Sequence, residues 1–339
     1  MTLAVALPNW VGDAVMATPA LRALAARFRG EGIVGIARPS VRQVLDPSPW
    51  ISGFIEVDRS LGGLLRAASA LRPEACTVGV LFPNSFRSAL LLSLGGVARR
   101  VGYDRGCRGF LLTERLRPER EGGRFVPTPQ ITYYLRLAEL LGAPTDDRRM
   151  ALSTTEADET SAAAAYKALG LDAGRTLLLC PGASFGPSKQ WPAEHWAVMA
   201  EGARRRFSLQ PAVLCGPNEA ADATAISEAG ETCPSFHDRG VTLGSARAVV
   251  RQAKAMVAID SGLRHYAAAF DRPVVSLFGP THIRWTETWH PKEVRLQAGV
   301  SCGPCQKPVC PTGTNECMRC IEPGEVLDAL GEALDRDAP

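Results

Sequence analysis

Asp260, Ser261 and Gly262, with Arg264 and His265 just after them, stand between an apolar run at 255–259 and a helix-like run at 263–270. An acid, a small hydroxyl and a glycine at such a junction suit an anion. Backbone N–H groups at a helix start have no intrahelical partners, and the helix dipole adds partial positive charge there. The chain then turns at Asp271-Arg272-Pro273, re-enters an apolar run at 274–278 and closes at Gly279-Pro280. That is a βαβ unit whose polar cluster lies at the carboxyl end of its first strand, the edge where α/β sheets bind ligands. His265 admits two readings, a packed or solvated residue and a ligand contact.

Three more loops have the same character. Pro8-Asn9-Trp10-Val11-Gly12-Asp13 follows the first apolar run. There Asp13 is either a helix cap or a general base that takes a proton from an acceptor hydroxyl. Residues 181–189 are rich in Gly, Pro and Ser, so the backbone can approach a ligand closely, while Ser184, Ser188 and Lys189 supply hydroxyls and a point charge suited to phosphate. Cys215-Gly216-Pro217-Asn218-Glu219 ends in an acid that caps the next helix or accepts from a ribose diol. Neither G-x-G-x-x-G nor the Gly-Lys-Ser/Thr of a P-loop occurs in these loops.

The elements that must position these loops alternate. Strands are expected at 3–7, 32–37, 54–57 and 77–82, and helices at 13–28, 61–71, 85–94 and 131–141. Pro19 either kinks the first helix or marks where its regular part begins. After a loop at 142–150 and an alanine-rich helix the alternation restarts. Strands are expected there at 176–180, 212–215, 255–259, 274–278 and 294–297, and helices at 193–206, 219–228, 245–253, 261–270 and 325–334. The fold class expected is therefore α/β, with two Rossmann-like domains facing each other across a cleft. The boundaries read as 1–155 for an acceptor-binding domain, 156–173 for a linker helix and 174–339 for a nucleotide-sugar donor-binding domain. Three of the polar loops then share one sheet edge, and Asp13 opposes them. Lys189, hydroxyls and helix N-termini together supply what a diphosphate requires.

Composition narrows the class. A chain of 339 residues with 46% hydrophobic residues can bury two cores, and a net charge of +3 does not announce nucleic-acid binding. Arginines crowd residues 99–124, as an anion-facing surface or a solvated one. The longest apolar stretch, 89–97, is too short to span a bilayer, and no export signal is visible, so the expected location is cytoplasmic with peripheral contact at the inner membrane face left open.

Residues 7–16, 181–191 and 260–280 resemble the ADP-heptose:lipopolysaccharide heptosyltransferases, family 9 glycosyltransferases of the GT-B fold. Residues 81–89 resemble the branch that adds the second heptose. The resemblance implies inverting heptose transfer from ADP-L-glycero-D-manno-heptose to a lipid A-core acceptor of the heptosyl-Kdo2 type. It casts Asp13 as catalytic base and Lys189 as the contact to the donor phosphates. Ser184, Glu219, Asp260, Ser261, Gly262 and His265 complete the donor site, and no cofactor is expected for catalysis. Phe185 and Arg264 depart from the pattern, in place of a hydroxyl and of a methionine or serine. The residues by themselves also allow another nucleotide sugar or glycan, and a nucleotide-sugar-binding protein without catalysis.

Five of the ten cysteines fall within residues 302–320. Two Cys-x2-Cys hooks match a tetrahedral zinc site, and the family pattern favours Cys302, Cys305, Cys310 and Cys317 as ligands, with Cys320 as substitute. Free thiols, a disulfide or an iron–sulfur cluster fit the same spacing. Cys76, Cys180 and Cys215 lie in apolar runs and read as small core residues.

Overall fold

The computed structural model describes residues 2–182, 184–216, 219–231 and 233–337. The chain divides into two compact units, Met1–Ser153 with Arg284–Thr288, and Thr154–Ile283 with Trp289–Pro339. The helix Glu156–Ala168 belongs to the second.

In the first unit, β1 (Thr2–Ala6), β2 (Ile33–Ala37), β3 (Gly53–Glu56), β4 (Cys76–Leu81), β5 (Arg99–Tyr103) and β6 (Glu114–Leu116) form a parallel sheet in the order β3-β2-β1-β4-β5-β6. A two-stranded hairpin, β7 (Arg120–Glu121) and β8 (Arg124–Phe125), follows. Parallel strands covered on both faces read as unbroken apolar runs, and β2 is buried at every position. The strand order reverses between β1 and β4. Ligands of open α/β sheets bind outside the carboxyl ends of the strands at such a switch point.

Asp13 and Asn84 follow those two strands. Asp13 lies in the first turn of the helix Val11–Met16, which stops at Ala17 before a second helix, Thr18–Arg27, with Pro19 in its opening turn. The helix expected over 13–28 is thus two helices, because proline fits the first turn of a helix but not its interior. Ser85 caps the helix Phe86–Leu94 by accepting from the Ser88 N–H, and Ser60 caps Leu61–Leu71 by accepting from the Gly63 N–H.

The second unit carries β9 (Thr176–Cys180), β10 (Gln210–Val213), β11 (Ala255–Ile259), β12 (Val274–Phe278) and β13 (Glu293–Gln297), all parallel, in the order β10-β9-β11-β12-β13. Its switch point lies between β9 and β11, the strands that lead to Lys189 and Asp260. Leu177, Leu179, Val257, Ile259 and Leu277 pack with Trp196, Met199 and Leu330 into one core. Each such aliphatic side chain is worth about 1.5–3 kcal/mol when fully buried, so the strand ends that carry the loops are rigidly placed.

Candidate active site

Lys189 ends a short 3-10 turn, Pro187–Lys189, and its side chain runs inward. The ammonium donates to the Asp260 carbonyl at 2.7 Å and to Asp260 Oδ2 at 2.6 Å, with both residues buried. Thr281 Oγ1, on the loop after β12, donates to the same carboxylate oxygen at 2.7 Å. The other oxygen, Oδ1, receives Arg264 Nε at 3.3 Å. Arg264 is wholly buried and also donates to Glu293 Oε1 at 2.6 Å, an oxygen that Ser276 Oγ reaches at 2.6 Å. Its guanidinium lies over the Phe278 ring at 5.0 Å. Burial alone would raise the Asp260 carboxyl, but Arg264, Lys189 and Thr281 hold it well below the usual carboxylate range. Two cations and two acids thus alternate behind the carboxyl edge of the sheet, with Lys189 the member nearest the loops.

Phe185 lies 5.0 Å from the Lys189 ammonium, ring face to cation. Where a hydroxyl was the family pattern, an aromatic ring covers the lysine instead. Ser184 beside it is exposed. Glu219 turns back toward its own loop, and its Oε2 accepts from the Gly216 N–H at 2.9 Å. A Cβ on Gly182 would stand 2.1 Å from the Glu219 carboxyl, so glycine there is what lets the acid lie against the 181–189 loop. Glu219 therefore lies between its own loop and the 181–189 loop, and its side chain does not cap the helix Ala220–Glu228. Pro217 and Asn218 of the expected loop lie outside the described residues. Pro181, Gln190, Trp191 and Asp222 line a neighbouring cavity of about 250 Å³.

Ser261 and Gly262 occupy a turn, and the helix begins only at Arg264 and ends at Ala269. The helix expected from 261 is thus shorter by one turn at its start, because the side chain of Asp260 is drawn inward by Lys189 and Arg264 rather than capping N–H groups. His265 is fully enclosed, and its Nδ1 has no hydrogen-bond partner among the described residues. Burial first, and then the Arg264 charge, push the imidazole well below its ordinary pKa of 6.5. Below pH 6.5 the unfolded chain therefore takes up a proton at His265 that the folded one refuses, so this group lowers stability as pH falls and contributes nothing above that value. Unfolding measured from pH 7.5 down to pH 5 is expected to show stability falling below pH 6.5 through this group. His265→Gln should remove that fall, and identical slopes in the two proteins would disprove the assignment.

In the first unit, Asn9, Arg38, Arg59, Ser85 and Arg87 line a cavity of about 220 Å³ beyond the carboxyl ends of β1 to β4. Arg38 has its pKa lowered by partial burial and then by the charges of Arg59 and Arg87. Asp13 is half-buried, and its charge, after burial, helps push the Tyr134 phenol well above its ordinary value.

The family model described as Glycosyltransferase family 9 (heptosyltransferase) matches residues 64–315, about three quarters of the chain. The chain belongs to glycosyltransferase family 9. It is therefore a glycosyltransferase, with the two Rossmann-like domains of the GT-B class. It is 28% identical to the lipopolysaccharide heptosyltransferase 2 of Escherichia coli K12, with 98% of this chain and 99% of that one covered. The lipooligosaccharide heptosyltransferase 2 of Haemophilus ducreyi is 28% identical over 82% of this chain and 83% of its own. Among solved structures, the E. coli ADP-heptose lps heptosyltransferase II superimposes with a TM-score of 0.80 at 25% identity over the whole of both chains. A family 9 glycosyltransferase from Veillonella parvula superimposes with a TM-score of 0.85 at 20% identity over 98% of this chain and 97% of its own, a likeness of fold.

Within this family 9 protein the arginines of residues 99–124 divide their work. Arg108 is buried and donates to the Tyr103, Pro83 and Ser85 carbonyls, Arg100 donates to the Val97, Ala98 and Leu111 carbonyls, and Arg99 pairs with Glu114. These three hold loops and strand edges. Cys76, Cys180 and Cys215 are buried, as their apolar runs required. Cys302, Cys305 and Cys310 lie near enough to Cys317 for their charge to raise its thiol pKa, secondary to burial. Among the described residues no group of three or more His, Cys, Asp or Glu side chains stands in an arrangement that could hold a metal ion. The 306–315 stretch braces the lysine loop. Ser188 N–H and Oγ donate to the Pro308 and Lys307 carbonyls at 3.1 and 2.7 Å, and Asn315 Nδ2 donates to the Pro187 carbonyl at 3.1 Å. Glu293 and Thr281 escaped the sequence reading.

Proposed function

We propose that this family 9 enzyme transfers heptose from ADP-L-glycero-D-manno-heptose to the inner core of lipopolysaccharide, on an acceptor of the heptosyl-Kdo2-lipid A type. The observation that carries the donor half is the buried Lys189–Asp260 pair at the switch point of the second sheet, a cation fixed in place beside glycine-rich loops. The names of the relatives supply heptose, ADP-heptose and lipopolysaccharide, and the configuration of the sugar and the heptosyl-Kdo2-lipid A acceptor are what the family resemblance implies. An ammonium has three donors, and two of those on Lys189 are engaged by Asp260, so the third is the one offered to a diphosphate.

The reaction is a single displacement with inversion. Asp13 removes the proton from an acceptor hydroxyl, the oxygen forms a bond to the anomeric carbon, and the bond from that carbon to the diphosphate breaks. Positive charge develops on the sugar ring and negative charge on departing ADP, and Lys189 meets the latter. A cation preset by Asp260 needs no reorganisation as that charge appears, which is where such groups gain their catalytic leverage.

Isothermal titration with ADP-heptose, ADP-glucose and UDP-sugars tests the donor. Binding of ADP-heptose at least about ten-fold tighter than either competitor, a difference near 1.4 kcal/mol, is expected. Tight binding of a uridine donor with none of an adenosine one would remove the donor assignment.

A further inference from the structure

The helix Leu61–Leu71 buries Leu64, Ala67, Ala68 and Leu71 against the first sheet, as an amphipathic helix should. Its exposed side carries leucine as well as Arg66 and Ser69. Leu61 and Leu65, one turn apart, are 68% and 52% exposed, and Phe86, which opens the helix Phe86–Leu94, is 44% exposed. Phe110, in the turn Gly109–Leu111, is 75% exposed, and its ring centroid lies 6.0 Å from that of Phe86. Arg87 donates to the Asp58 and Ser60 carbonyls at 2.9 and 2.5 Å, which ties the start of the phenylalanine helix to the start of the leucine helix. The four apolar side chains therefore belong to one stretch of surface at the carboxyl edge of the sheet. Apolar residues scattered singly over a surface mean little, whereas a contiguous group marks an interaction site.

The charge around the group is one-sided. Arg59, Arg66, Arg87 and Arg115 flank it, against Asp58 and Asp104, and each of those acids is already paired, with Arg66 at 2.7 Å and with Arg115 at 3.5 Å. A Cβ on Gly109 would fall 2.5 Å from Asp104 and 2.8 Å from Arg115, which puts that pair beside Phe110. Aromatic and leucine side chains ringed by arginine are the composition that settles into the headgroup boundary of an anionic bilayer, the rings among acyl chains and the guanidinium groups on lipid phosphates. We propose that Leu61, Leu65, Phe86 and Phe110, with the arginines around them, form a docking surface for an anionic lipid bilayer. The surface deepens the acceptor side of the proposed reaction, since a lipid-linked acceptor is presented at such a bilayer, and it does not depend on the donor assignment.

The test is co-sedimentation of the full chain with vesicles of phosphatidylglycerol and phosphatidylcholine, beside vesicles of phosphatidylcholine alone. Wild type should sediment with the first and not the second, and should be released as salt is raised to about 0.5 M. F86S/F110S and, independently, L61S/L65S should each weaken binding by about ten-fold or more, while melting point and ADP affinity stay at wild-type values. Transfer to a water-soluble acceptor should be unchanged in both, so loss of vesicle binding and loss of the transfer reaction are separable results. Equal binding of the variants and the wild type overturns the proposal, as does equal binding to both vesicles. A dimer in solution that F86S/F110S dissociates overturns it too, because the surface would then be a protein interface.

Discussion

Arg264→Met is expected to destabilise the second unit by about 3–5 kcal/mol, the usual penalty for removing one partner of a buried ion pair. The reason lies in what stays behind. Asp260 keeps Lys189 and Thr281, but Glu293, buried at the start of β13, loses the guanidinium 2.6 Å away and retains the Ser276 hydroxyl. Methionine roughly fills the space and can pack on Phe278, so the loss measures charge and not a cavity. The double variant R264M/E293Q should therefore recover a large part of the single variant's deficit, because an amide in place of the buried carboxylate has far less desolvation to bear. Urea unfolding followed by a probe in the second unit measures both. A single variant within 1 kcal/mol of wild type, or a double variant no better than the single one, would mean that the network does not behave as a closed electrostatic unit. The functional corollary is a fall in ADP affinity for R264M, since Asp260 positions Lys189 only while its own carboxylate is held.

That network also marks how far a sequence reaches. The strands at 255–259 and 274–278 and the helix at 61–71 were legible to the residue, because unbroken apolar runs end at turn residues and a serine caps the helix. Both switch-point loops of the second sheet were legible for the same reason, since small and polar residues after a buried strand announce a turn. β5 was not, because Arg99-Arg100 open it and look like solvated surface until Arg99 meets Glu114 on the neighbouring edge strand. Glu293 and Thr281 were invisible for a deeper reason. They meet Arg264 and Asp260 across separations of 29 and 21 residues, and only the parallel register of β12 with β13, Val274 opposite Glu293, brings the acid to the arginine. A spacing rule applies within an element, whereas sheet order is settled by packing of the whole unit. Arg264 stood out as a departure from the family pattern, and its explanation is internal: the charge that has no place on a donor surface lies on the far side of Asp260, where it fixes the carboxylate that fixes Lys189.

Asp13→Ala should abolish turnover while leaving ADP-heptose affinity nearly unchanged. A positioned general base contributes about 10²–10⁴ in rate, and the loss should fall on kcat, since the carboxylate acts on the acceptor hydroxyl and belongs to a different unit from Lys189. Asp13→Asn is the sharper probe. It preserves size and removes only the charge; the helix starts at Val11 after Trp10 with no side-chain cap, so Asp13 is not its N-cap, and a purely structural role in the first turn would leave the rate standing. If Asn restores melting temperature relative to Ala and turnover remains absent, the carboxylate is needed for proton transfer. If Asn restores turnover as well, Asp13 only shapes the turn after β1, and the base must be sought elsewhere around the cavity lined by Asn9, Ser85 and Arg87. Lys189→Gln, measured beside it, should show the reverse pattern, a fall in donor affinity as well as rate, because its charge meets the diphosphate both before and during departure. The two halves of the reaction thus carry different kinetic signatures, and the pair of variants separates a base that acts only in the transition state from a cation that also holds the ground state.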